Sequence, residues 1–205
     1  MKQLVVYVHG KGGSAGEADH YRPLFGGREV VGFDYLAQNP WEAREEFPRF
    51  FGPLRAECDS LVLIANSIGA FLCMTALTER QVDRALFISP VVDMESLIAG
   101  MMAHANVSEE ELRARREIPT ASGETLSWDW LCDVRGHPLR WTVPTRILYG
   151  ERDFLTPFET MSRFAARIGA PLAVMPGGEH WFHTPEQMTF LDAWIGEAFP
   201  GPAEH

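Results

Sequence analysis

Hydrophobic positions fall into two kinds of run along the chain. Six runs are short, β-rich and mostly continuous: Leu4–Val8, Glu29–Phe33, Leu61–Ala65, Ala85–Ser89, Thr145–Tyr149 and Leu172–Met175. Continuity rather than alternation marks strands covered on both faces, as in a parallel sheet. Longer stretches with helical spacing lie between them. Trp41–Glu57 is charged and amphipathic, and Pro48 and Pro53 are expected to break or kink it. Ile68–Arg80 is apolar almost all round, which predicts a buried helix. Pro157–Ile168 opens with Thr156 as N-cap and Pro157 at the first helical position, and Pro185–Phe199 repeats that start after Thr184. Strands alternating with helices in this way predict a doubly wound α/β sheet.

Residues 94–141 interrupt the rhythm, separating two strands by far more chain than an ordinary connection needs. The stretch predicts helices at Met94–Ala105, Ser108–Arg116 and Ser127–Val134, with Ser108 and Glu111 as a capping box. A long insertion at the carboxyl edge of a parallel sheet reads as a cap over a site. Its apolar residues, Met94, Met101, Trp128 and Trp141 among them, suit an apolar substrate wall, although most of them must simply pack the insertion.

Composition narrows the function. The 205 residues suit one large domain able to bury its own core. With 18 Lys+Arg against 28 Asp+Glu, the formal net charge of −10 argues against a nucleic-acid partner and an anionic membrane surface. Three cysteines, Cys58, Cys73 and Cys132, are odd in number and lack metal-ligand spacing, which fits a reducing cytoplasm and no disulfide framework. Leu4–Val8 is too short for a signal-peptide core, and no apolar stretch is long enough for a membrane span. The tail at residues 200–205 is expected to fray.

The strongest chemical signal is Leu61-Val62-Leu63-Ile64-Ala65-Asn66-Ser67-Ile68-Gly69-Ala70. A buried strand runs into a serine with a small residue two positions to each side, then into an apolar helix. Small residues suit a turn too tight for larger side chains. The glycine-rich stretch His9-Gly10-Lys11-Gly12-Gly13 follows the first strand but lacks the spacing of a phosphate-binding loop. Gly150-Glu151-Arg152-Asp153 follows the fifth strand, and Gly177-Gly178-Glu179-His180-Trp181 follows the sixth.

The Ala65-x-Ser67-x-Gly69 turn resembles the nucleophile elbow of the α/β-hydrolases, with alanine in place of the usual first glycine. The other three loops match that family in chain order. The resemblance covers Lys2 to about Phe199 and implies a small, trimmed member whose usual first two strands are missing. It implies six mostly parallel strands in the order 2-1-3-4-5-6, flanked by helices, with residues 94–141 as a helical cap. It also implies a serine hydrolase of the carboxylesterase type: Ser67 as nucleophile, His180 as base, Asp153 as acid, and the backbone amides of Lys11 and Ile68 as oxyanion donors. Thioester and amide cleavage use the same machinery, and a ligand-binding protein on the same scaffold is the rival from another class. Met94, Met101, Trp128 and Trp181 are candidate substrate contacts. A small ester or acyl compound is the implied partner, without metal or cofactor.

Several residues compete for these roles. His183 is the alternative base, though packing or capping at the start of the last helix also accounts for it. Asp93 is the alternative acid, and the reading preferred for it is the N-cap of the helix at Met94. Glu151 reads as solvated, and His9 as a residue that holds its loop. The pair His180-x-x-His183 lacks the further ligand a metal would need.

Overall fold

A computed structural model describes residues 2–121 and 123–199; the tail expected to fray lies outside the described residues. The described residues divide into two compact units, residues 2–91 with 140–199, and residues 92–139.

The first unit is built on β1 (Gln3–Val8), β2 (Glu29–Phe33), β3 (Ser60–Asn66), β4 (Arg84–Ile88), β7 (Thr145–Gly150) and β8 (Leu172–Met175). They form one sheet in the order β2-β1-β3-β4-β7-β8, every pairing parallel. Counted within this sheet alone, that is the expected order 2-1-3-4-5-6. The central strands are dry on both faces: Val5 to Val8 and Leu61 to Ala65 are at most 1% exposed. That is why their sequences show no polar alternation. All six strands run in one direction, so the loops after β1, β3, β7 and β8 leave the same edge of the sheet.

The flanking helices are α1 (Ala18–Tyr21), α2 (Pro40–Ala56), α3 (Ser67–Ala76), α7 (Phe158–Ile168) and α8 (Pro185–Ala198). Three details depart from expectation. First, of the break or kink expected at Pro48 and Pro53, the break is not made: α2 continues through both. Each proline removes a hydrogen bond and crowds the preceding turn, but Ala43, Phe47 and Phe51 are fully buried and hold the helix in register. Second, α3 stops at Ala76, because Thr78 turns the chain by accepting Arg80 N–H and donating its hydroxyl to Gln81. Third, Thr156 does not cap α7. Pro157 occupies the cap position, and Thr156 is buried with its carbonyl accepting the Tyr149 hydroxyl at 2.8 Å. Thr184 does cap α8, in a reciprocal box with Gln187. Trp141, counted above with the insertion, packs in this first unit against Phe87 and donates its indole N–H to Thr145 at 2.7 Å.

The second unit holds α4 (Met94–Ala105), α5 (Glu109–Arg115), a two-stranded antiparallel hairpin of β5 (Glu117–Pro119) and β6 (Thr125–Ser127), and α6 (Trp128–Gly136). The hairpin was not foreseen; three-residue strands are too short to carry a periodic signal. Ser108 caps α5 by accepting Glu111 N–H, but the box is only half made, because the Glu111 carboxylate turns to Arg115. Arg135 ties the unit together through Glu95 and both oxygens of Glu109. No helix among the described residues is long and apolar enough to cross a membrane.

Candidate active site

Ser67 opens α3 with φ 49°, a left-handed conformation that a residue with a Cβ adopts only under constraint. The constraint comes from β3 turning directly into the helix over the β1 loop. A Cβ on Gly69 would lie 2.2 Å from the His9 carbonyl oxygen, so glycine is required there. Alanine at position 65 sits inside β3, fully buried, and meets no such limit.

The loops after β7 and β8 bring two further side chains to the serine. The hydroxyl Oγ of Ser67 lies 2.8 Å from His180 Nε2. His180 Nδ1 lies 2.7 Å from Asp153 Oδ2. A carboxylate only accepts, so Nδ1 carries the ring proton and Nε2 faces the hydroxyl as an acceptor. The other carboxylate oxygen, Oδ1, accepts the backbone N–H groups of Leu155 at 2.8 Å and Thr156 at 3.2 Å. The Asp153 side chain is fully buried and that of His180 is 11% exposed. Burial and two backbone donors leave this carboxylate one orientation, which in turn fixes the imidazole.

The loops bearing Asp153 and His180 are sewn to each other by backbone. Glu151 N–H donates to the Met175 carbonyl at 3.1 Å, and Arg152 N–H to the Gly178 carbonyl at 2.7 Å. The Glu151 carboxylate accepts Gly177 N–H at 2.7 Å. Glu151 is exposed, in keeping with its sequence reading, and its carboxylate also links the two loops. Tyr7, Glu17 and Asn66 also escaped notice. The only available signal was a tyrosine hydroxyl inside an apolar run, which must find a partner once buried.

The expected oxyanion donors both stand at this edge. Ile68 is in the first turn of α3, where backbone N–H groups have no partner within the helix. The Ser67 carbonyl accepts Val91 N–H at 3.1 Å. A trans peptide is planar, so the Ile68 N–H points the opposite way, off the helix start. Lys11 lies on the exposed loop after β1, which closes on itself through Gly13 N–H to Gly10 carbonyl at 3.2 Å. His9 donates Nδ1–H to the Gly10 carbonyl at 2.8 Å and stacks on Tyr35 at 4.4 Å, and the Tyr35 hydroxyl donates to the His9 carbonyl.

The competitors stand elsewhere. The His183 ring stacks on Trp181 at 4.4 Å and faces the Trp181 carbonyl and the Glu179 carboxylate. Asp93 caps α4 through Ser96 N–H and hydroxyl. Among the candidate substrate contacts, Trp181 follows His180 and is 70% exposed. Met94, Met101 and Trp128 belong to the second unit, where Met94 is buried and Arg113 lies over the Trp128 ring at 6.0 Å. Phe154, not foreseen, is 81% exposed with its ring 6.1 Å from that of His180. Among the described residues no cluster of three His, Cys, Asp or Glu side chains is placed to hold a metal ion.

No family model matches the chain. Known structures nevertheless superpose well: the mouse alpha/beta hydrolase domain-containing protein 10 aligns with a TM-score of 0.74 at 18% identity, covering 95% of this chain and 88% of that one. The chain has the α/β-hydrolase fold. Two curated sequences are also similar. One, from Mycoplasma genitalium and named as an esterase/lipase, is 29% identical over 103 residues, 44% of this chain and 37% of that protein. The other, from Synechocystis and named as a non-heme chloroperoxidase, is 26% identical over 160 residues, 67% of this chain and 58% of that protein. The chain thus matches less than two thirds of either relative's length. Within the α/β-hydrolase fold, the serine, histidine and aspartate occupy loops after the third, sixth and fifth strands of the main sheet.

Proposed function

We propose that this chain is a serine hydrolase that cleaves carboxylic esters through an acyl-enzyme intermediate. The observation that carries this reading is the unbroken relay from Ser67 Oγ through His180 to Asp153, at 2.8 and 2.7 Å. A serine hydroxyl is a poor nucleophile at its own pKa and needs a base within reach. His180 Nε2 takes the Ser67 proton as Oγ attacks the ester carbonyl, and Asp153 stabilises the imidazolium without accepting the proton itself. The negative charge on the former carbonyl oxygen falls to the amides of Ile68 and Lys11, each worth about 3 kcal/mol to the transition state. The tetrahedral adduct collapses, the bond to the alcohol oxygen breaks, and His180 hands its proton to that oxygen. Water then repeats the cycle with His180 as base, releasing the carboxylic acid and restoring Ser67. Similarity to a protein named as an esterase/lipase supports the same reaction class.

The exposed ring of Phe154 beside the base favours an apolar ester over a charged one. The test is labelling with a fluorophosphonate, which modifies an activated serine, and mapping of the modified peptide. The label should fall on Ser67 and vanish in Ser67→Ala. A folded wild-type protein that takes no label, or takes it elsewhere, would overturn the reading.

A further inference from the structure

A chain of polar contacts running from the exposed β1 loop to a buried tyrosine, which the reaction does not use, joins the two segments bearing the oxyanion amides. It starts on the β1 loop, where Ser14 N–H donates to Glu17 Oε1 at 3.1 Å. The other oxygen of that carboxylate, Oε2, accepts the hydroxyl of Tyr7 in a short contact. The Tyr7 oxygen in turn accepts Asn66 Nδ2–H at 2.9 Å. Asn66 directly precedes Ser67, and Ile68 follows it. Tyr7 is completely buried, and Tyr21 packs on its ring at 4.8 Å. Burial holds the phenol well above its ordinary pKa, so it stays a proton donor to Glu17. The loop itself rests on the carboxylate, since a Cβ on Gly13 would lie 2.6 Å from Glu17 Oε1 and 3.0 Å from His9 Cβ.

Capping of the short turn at residues 15–17 accounts for the first contact alone. It does not account for a carboxylate reaching a buried phenol that is itself held by the residue before the nucleophile. Donor direction is fixed along the whole chain, because a carboxylate only accepts. We propose that Tyr7, Glu17 and Asn66 are positioning residues that set the spacing between the Lys11 and Ile68 amides, and so tune the hole to the tetrahedral oxyanion rather than to the planar ester. The inference rests on the serine-hydrolase reading of the site. Interactions that are stronger in the transition state raise turnover without tightening substrate binding.

The experiment compares wild type with Tyr7→Phe and Glu17→Gln in the full chain. It uses p-nitrophenyl butyrate as substrate and phenylboronic acid as a tetrahedral adduct former. Tyr7→Phe should lower kcat about 10-fold or more while KM stays within about twofold. Boronate affinity should fall by the same factor as kcat/KM. Glu17→Gln keeps one acceptor and should fall between the two. Combining Tyr7→Phe with Asn66→Ala should cost less than the sum of the two single losses, because each single change already removes the bond between them. A lowered melting temperature with kcat and boronate affinity unchanged would overturn the proposal and leave the network purely structural. A loss of kcat without a matching loss of boronate affinity would overturn it too. Turnover that survives Ser67→Ala would instead sink the underlying hydrolase reading, so the two failures are distinguishable.

Discussion

At the scale of single residues, partners rather than residue types separate the proposed catalytic groups from their look-alikes. His180 and His183 are both imidazoles on one loop. Only His180 spans a hydroxyl and a buried carboxylate, whereas His183 faces a backbone carbonyl and an exposed glutamate. His180→Ala should therefore lower ester turnover by about 10³-fold, and His183→Ala should stay within about twofold of wild type. A p-nitrophenyl ester assay reads both, and the reverse ranking would reassign the base. Asp153→Asn should cripple turnover in the same assay, while Asp93→Asn, at a helix cap, should leave kcat alone. The candidate site was legible where its chemistry is written locally: a serine between a strand and a helix, an aspartate and a histidine in glycine-bearing loops after strands. The links made by Glu151 and Glu17 were not, because nothing in their own neighbourhoods distinguishes an exposed glutamate from one that also accepts a hydrogen bond from a distant segment.

At the scale of elements, the strands were legible because burial on both faces leaves uninterrupted apolar runs. The misreadings came where tertiary packing outweighed a local rule. Two prolines sit inside α2 because its phenylalanines anchor it, and Thr156 is buried against the Tyr149 hydroxyl while Pro157 takes the cap position. One contact between elements should show how closely geometry governs turnover. A Cβ on Gly150, at the end of β7, would lie 2.3 Å from the Glu179 carbonyl oxygen and 2.7 Å from that of Gly178, both backbone atoms. Gly150→Ala should force the acid and base loops apart and lengthen the Asp153–His180 bond. A displacement near 1 Å should cost about 100-fold in kcat, together with a lower melting temperature. Gly52→Ala in α2, where nothing lies within 4 Å of the new atom, should do the opposite to stability, adding about 0.5–1 kcal/mol by urea unfolding. Equal effects from the two substitutions would refute the steric account.

At the scale of the whole molecule, burial of phenols links stability to alkaline pH. Tyr7 and Tyr21 are held above the ordinary value of 10.0, chiefly by loss of hydration. The unfolded chain releases these protons first. Their contribution is therefore complete below pH 10 and declines above it, by about 1.4 kcal/mol per pH unit for each tyrosine. Urea midpoints should fall between pH 9 and pH 11, and Tyr21→Phe should flatten that fall; an unchanged slope would show that the Tyr21 phenol is not the linked group. The division of the chain carries a further consequence, for synthesis. The second unit is one continuous stretch, residues 92–139, whose elements meet near neighbours, whereas the sheet joins strands from either side of it. As the polypeptide leaves the ribosome, β4 must wait for residues 89–144 to be made before β7 arrives to cover it. Until then its apolar edge, Ala85 to Ile88, is open to pairing with a strand of another nascent chain. The price of an active edge completed by the last two strands is thus a period of vulnerability to aggregation during translation, which low expression temperature or a holdase chaperone should shorten or shield.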